Sequence, residues 1–151
     1  LQQAAARGTR LHNLAHLLIT EGVKLPRSQK TLNMYVNDCI GFRMTTEQPL
    51  FYSDYAFGTA DAISFRNNTL RISDLKTGLS PVKVTQLEAY AALFCLEYRF
   101  KPFELSNIEL RIYQDDECQE YEADPDVIFH IMDRFVYFDK RIRELREETL
   151  S

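Results

Sequence analysis

Apolar residues recur along the chain with two different periods, and the alternation of those periods sets the order of elements. Ala4 to Thr20 spaces Leu11, Leu14, Ala15, Leu18 and Ile19 three and four apart, which is the face of a helix. Glu21 to Lys30 contains Gly22 and Pro26 and reads as a loop. A second helix is predicted over Thr31 to Arg43, with Leu32, Tyr35, Val36, Cys39 and Ile40 on one side. Thr45 to Ser53 then reads as the first core strand, and Pro49, which has no N–H to donate, favours an edge or a bulge. Phe57 to Phe65 and Thr69 to Leu75 are rich in apolar and β-branched residues, and Asn67-Asn68 between them supplies a hairpin turn. Gly78 and Pro81 end that strand, and Val82 to Tyr98 reads as a helix that packs through Leu87, Ala91, Phe94 and Cys95. Leu105 to Tyr113 alternates as a strand and pairs with Glu117 to Glu122. Asp126 to Glu148 is a long amphipathic helix with Val127, Ile131, Phe135, Phe138, Ile142 and Leu145 as its stripe.

The stretch from Gly58 to Tyr90 carries the candidate chemistry. Asp61 lies on the first strand of the hairpin, and Asp74 and Lys76 lie two apart at the end of the second. Side chains alternate across a strand, so Asp74 and Lys76 project to one side, and the hairpin brings Asp61 beside them. Gln86 and Tyr90, four apart, share a face of the following helix. Two carboxylates and an ammonium at one point suit metal-assisted phosphodiester hydrolysis. Mg²⁺ takes oxygen ligands, keeps several waters, and is often held by one or two carboxylates plus substrate phosphate. A lysine beside it orients or deprotonates the attacking water, or steadies charge on the phosphate. The competing reading of Asp74-Leu75-Lys76 by itself is a solvated strand end decorated for solubility.

The ordered set Gly58-Thr59-Ala60-Asp61, Asp74-Leu75-Lys76 and Gln86-Leu87-Glu88-Ala89-Tyr90 resembles the PD-(D/E)XK nuclease superfamily, in particular its RecB-like branch. The resemblance implies a restriction-endonuclease-like α/β core, a central mixed sheet flanked by helices. It extends to Gly8-Thr9-Arg10-Leu11-His12 in the first helix, similar to a G-x-x-x-H segment whose histidine reaches the metal in that family. By that likeness the metal ligands are His12, Asp61, Asp74 and the backbone carbonyl of Leu75, with Mg²⁺ or Mn²⁺ as cofactor. Lys76 is the catalytic lysine, and Gln86 and Tyr90 position the substrate strand or the active-site water. Glu47 matches a position where related nucleases often have an acid, and reads equally as an extra carboxylate near the metal or as a surface residue of an edge strand. His16, one turn after His12, carries no assigned role.

The chain is most similar to compact RecB-like nucleases of phages and prophages. That likeness implies DNA as substrate, exonuclease action in recombination or DNA processing, and a strand-annealing protein as partner. A module that kept the fold but lost catalysis, and a nuclease acting on RNA, are the competing classes. Both Asp74 and Lys76 are present, which counts against the first; metal chemistry at phosphate does not separate DNA from RNA.

Composition changes this picture in three places. At 151 residues the chain is expected to be one domain, residues 1–151, and its lack of an initial Met points to an upstream segment. Cys39, Cys95 and Cys118 are odd in number and far apart, which favours a reducing, cytoplasmic setting over a disulfide scaffold. Some RecB-like nucleases hold an iron–sulfur cluster on four cysteines; with no close-spaced group here, no cluster is expected. Net charge is −4, yet residues 1–30 carry +4 and residues 91–151 carry −7. A basic N-terminal end beside an acidic metal pocket suits a protein that meets phosphate there, with the acidic C-terminal third turned away from substrate.

Overall fold

The structure is a computed structural model, and it describes residues 2–79, 81 and 83–150. Its elements run α1 (Gln2–Glu21), α2 (Thr31–Gly41), β1 (Thr45–Ser53), β2 (Ala56–Arg66), β3 (Thr69–Leu75), α3 (Thr85–Tyr98), β4 (Asn107–Gln114), β5 (Glu117–Glu122) and α4 (Pro125–Leu150), with a 3-10 turn at Pro102–Glu104 before β4. The five strands form one mixed sheet in the order β1-β2-β3-β4-β5. All neighbours are antiparallel except β3 and β4, which are parallel and therefore need the α3 crossover between them. The expected class, α/β with a mixed sheet flanked by helices, is what the chain adopts.

Turn chemistry explains the two tight hairpins. Asn67 and Asn68 both have positive φ (50° and 58°), as do Asp115 and Asp116 (52° and 57°) between β4 and β5. Two-residue hairpin turns of this kind need positive φ at both central positions, where Asn and Asp are tolerated better than bulkier residues. β1 lies at the edge of the sheet, and its register shifts between Phe51 and Ser53, so Pro49 sits where a missing donor is tolerated.

Each face of the sheet has its own core. On one side Leu70, Ile72, Leu110 and Ile112 meet α3 through Leu87, Ala91, Leu93 and Phe94, and α4 adds Ile128 and Met132. On the other, Leu75, Ala62 and Tyr113 meet Ala15 and Ile19 of α1 and Tyr35, Val36 and Cys39 of α2. Burying one such aliphatic side chain contributes about 1.5–3 kcal/mol. α3 is buried over consecutive residues from Ala91 to Cys95, because sheet and α4 cover it from two sides.

Several sequence expectations shift on inspection. The predicted helix start at Val82 lies outside the described residues, and the helix itself begins at Thr85. The second helix ends at Gly41 rather than Arg43, and β4 starts at Asn107 because Pro102–Glu104 forms the 3-10 turn. In α4 the buried positions are Ile128, Met132 and Asp139, with Ile131 and Phe135 half-buried; Val127, Phe138 and Leu145 are exposed. The stripe is rotated because α4 leans on α3 and not on the sheet. In α1, Leu14 faces solvent while Ala15 and Ile19 are buried.

Candidate functional site

The site forms at the C-terminal end of β3, where α1 crosses the sheet and α3 begins. Asp74 and Lys76, two apart, turn to one side as their spacing requires, and Lys76 Nζ lies 3.0 Å from Asp74 Oδ2. That oxygen has no directed hydrogen bond, so the contact is an ion pair held in a buried position. Asp61 meets the same strand end: its Oδ2 accepts the Leu75 N–H at 2.9 Å.

α1 delivers His12 to this point. Nε2 of His12 lies 2.7 Å from the Leu75 carbonyl and 3.3 Å from Asp61 Oδ2, while Nδ1 lies 2.8 Å from the Gly8 carbonyl. Both ring nitrogens face oxygens that only accept, so both carry protons and the ring is an imidazolium. Its pKa is raised to about 9, first by the hydrogen bond to Asp61, against the opposing cost of burial.

The two glycines of the motifs are explained by close approach. A Cβ on Gly8 would stand 2.7 Å from Thr77 Oγ1, so glycine lets α1 press against the strand end. A Cβ on Gly58 would stand 2.8 Å from Tyr90 Cε1, so glycine makes room for the Tyr90 ring. The Tyr90 hydroxyl accepts from Gln86 Nε2 at 3.0 Å, and Gln86 Oε1 lies 3.4 Å from Lys76 Nζ. The helix pair and the strand lysine therefore form one chain of polar groups. Gly58→Ala is expected to push the ring off this bond and to cost about 1–3 kcal/mol of stability, read from urea unfolding. An unchanged unfolding midpoint would show that the ring moves freely.

Electrostatics set the carboxylates apart. Burial opposes ionisation of Asp61, but hydrogen bonds from His12, Asp74 and the Leu75 N–H outweigh it and hold its pKa below the ordinary value. Asp74 is raised to about 7, by burial first and by the adjoining Asp61 carboxylate second, with Lys76 offsetting part of the shift. Lys76 is raised in spite of burial, because the Asp74 carboxylate favours its charged form. Burial raises the Tyr90 phenol.

Among the described residues no group of three or more His, Cys, Asp or Glu side chains is arranged to hold a metal ion. The donors that converge are His12 Nε2, Asp61 Oδ2 and a backbone oxygen, with Asp74 alongside. A half-buried carboxylate, Asp61, and a buried one, Asp74, adjoin each other between the His12 imidazolium and the Lys76 ammonium. One imidazole nitrogen and several oxygens are donor types that a divalent cation takes.

Glu47 is exposed and 3.8 Å from His16 Nε2, and His16 Nδ1 meets the Thr46 hydroxyl. This pair stands beside the site without touching Asp61 or Asp74. Yet Glu47 has φ of 52°, a left-handed backbone rare for Glu, and lies opposite Asp61 between the pairs Thr46↔Ala62 and Gln48↔Ala60. The pleat breaks here: Ala60 packs toward α3 and Ala62 toward α1 and α2, although residues two apart on a strand ordinarily share a face. Leu11, Leu32, Leu79 and Asp115, which wall a cavity against Leu75 and Lys76, carried no signal in the sequence. Asp115, from the acidic C-terminal third, stands at the wall of this cavity.

No curated protein matches the chain. Among solved structures, the crystal structure of SSO0001 is similar with 19% identity and a TM-score of 0.36, over 72% of this chain and 56% of that one. The chain thus spans little more than half of that protein's length. The family model DUF2800, described as a protein of unknown function, matches residues 29–124, a segment that holds Asp61, Asp74, Lys76, Gln86 and Tyr90 but not His12. The chain belongs to the DUF2800 family.

Proposed function

We propose that this chain is a divalent-metal-dependent nuclease of the PD-(D/E)XK type that hydrolyses phosphodiester bonds in DNA. The observation that carries the reading is the meeting, from separate parts of the sequence, of His12, Asp61, the Leu75 carbonyl, Asp74 and Lys76 at one strand end. Mg²⁺ or Mn²⁺ held by His12, Asp61, Asp74 and the Leu75 carbonyl would supply Lewis acidity at the phosphate and an activated water. Lys76, fixed by Asp74 and Gln86, brings an ammonium to the same point, where charge builds on the phosphate in the transition state. Gln86 and Tyr90 offer an amide and a phenol from α3 to hold a phosphate oxygen or a stationed water. The exposed Arg7 and Arg10 on α1 favour approach of a polyanion from that side.

Exonuclease action in phage-type recombination, a strand-annealing partner and a cytoplasmic setting extend this reading and rest on the sequence resemblance alone. No described helix is long and apolar enough to cross a membrane.

The deciding assay offers labelled linear, circular and single-stranded DNA, with RNA as comparison, in Mg²⁺ or Mn²⁺. Cleavage is expected with either ion, at least as fast in Mn²⁺ because His12 adds a nitrogen donor, and none is expected in EDTA. Undiminished cleavage in EDTA would sink the reading. Gln86→Ala is expected to keep Mn²⁺ affinity by calorimetry while losing cleavage. Wild-type cleavage and DNA affinity in that variant would return Gln86 and Tyr90 to a packing role.

A further inference from the structure

Two cavities flank Lys76 and share it, together with Gly78, as a common wall. The residues that wall them differ. The first, about 210 Å³, has Leu11, Leu32, Leu75 and Leu79 for walls and Thr31, Thr77 and Asp115 among its polar groups. The second, about 380 Å³, is walled by Pro81 and by side chains that end in an ammonium, a hydroxyl or an amide: Lys83, Thr85, Gln86 and Gln114. A nucleotide has the same division, a flat apolar ring system at one end and a charged sugar-phosphate at the other.

Resting on the nuclease reading, we propose that the apolar cavity receives the unstacked base of the nucleotide at the scissile bond, so that the substrate is a strand with an unpaired end. Size favours this occupant: pockets for drug-sized ligands run about 300–1,000 Å³, and a smaller one suits a single ring system and not a base pair. The rim suits it too, since Asp115 offers acceptor oxygens of the kind that exocyclic amino groups meet. The cavity is braced. Gly8 lets α1 close on Thr77, and Gln114 Nε2 donates to the Gly78 carbonyl at 2.6 Å, which pins the loop between the two cavities. Placing the base on one side of Lys76 leaves its phosphate on the other, next to Gln86. A paired base would have to leave its stack first, at a cost of a few kcal/mol that a free end does not carry.

The test uses the full chain and oligonucleotides with 2-aminopurine at the terminal nucleotide, bound in Ca²⁺ so that binding is read without turnover. Binding is expected to change the 2-aminopurine emission of a single strand much more than that of a blunt duplex. In Mg²⁺, an abasic terminal nucleotide should raise KM about tenfold against the adenine form, equal to about 1.4 kcal/mol of lost binding. Leu32→Trp, which fills the cavity, should erase both differences; Leu79→Asp, at an exposed position where folding is not at stake, should reduce them. Emission unchanged on binding, or equal KM for abasic and adenine ends, would overturn the base pocket. Cleavage without an emission change removes the pocket and leaves the nuclease reading standing. An emission change with no cleavage in Mg²⁺ or Mn²⁺ supports the pocket and removes the hydrolase.

Discussion

Lys76→Ala is expected to lower phosphodiester cleavage by about 10²–10⁴-fold while leaving divalent-metal binding in place. The reason lies in the separation of roles along one strand end. Asp74 adjoins Asp61, whereas Lys76 Nζ pairs with Asp74 Oδ2 and lies within reach of Gln86. Removing the ammonium takes away positive charge that acts on substrate and withdraws no ligand. A neighbouring cation also repels a metal ion, so affinity for Mn²⁺ should hold or rise slightly. DNA binding in Ca²⁺ should persist, because most of that free energy comes from phosphate contacts spread over the surface. Calorimetry with Mn²⁺ beside single-turnover cleavage checks both halves. Cleavage near the wild-type rate would make Asp74-Leu75-Lys76 a decorated strand end and remove the centre of the nuclease reading.

Asp74→Asn is expected to stabilise the metal-free protein at pH 8 while abolishing both metal binding and cleavage. Asp74 holds its proton up to about pH 7 in the fold and only to about 3.8 in the unfolded chain. Between those values the folded state binds more protons, so this group's contribution to stability is present below pH 3.8 and is lost as pH rises through 7. Above pH 7 the buried Asp74 carboxylate faces the half-buried Asp61 carboxylate, a cost on the order of a few kcal/mol. An asparagine amide can donate to Asp61, and it carries no charge to bury. Lys76 loses its partner, but at 33% exposure its ammonium stays partly solvated. Thermal unfolding in EDTA at pH 5 and pH 8 should show the wild type losing stability across that interval through Asp74, and the variant losing less. Mn²⁺ should raise the wild-type midpoint at pH 8 and leave the variant unmoved. A variant less stable than wild type at pH 8, or one still stabilised by Mn²⁺, would show that the pair is not held under charge repulsion awaiting a cation.

The local partners in this site were legible from spacing alone. Asp74 and Lys76 meet because a strand repeats every two residues, and Gln86 and Tyr90 meet because a helix repeats every 3.6. Asn67-Asn68 marked its hairpin because both positions need positive φ. His12 was reachable only through the resemblance of its G-x-x-x-H segment, since nothing in a helix period says which distant strand the helix will cross. The reason for Gly8 became visible when Thr77, far away in the chain, was found against it. Glu47 shows the limit most clearly. Its side chain reads equally as a carboxylate near the metal or a surface residue, and what distinguishes it is a left-handed backbone opposite Asp61, which no side-chain pattern encodes.

By itself the sequence determined the order and type of the elements, the two hairpins, and the pairing of chemical groups within one strand end and one helix face. These depend on periods and turn residues that act over a few positions. Only the tertiary structure decided which side of α4 is buried, where β2 reverses its pleat beside Asp61, and that Leu11, Leu32 and Asp115 enclose a cavity next to Lys76. Those features arise where elements distant in sequence press on one another, and packing there selects among faces that local periodicity leaves equivalent.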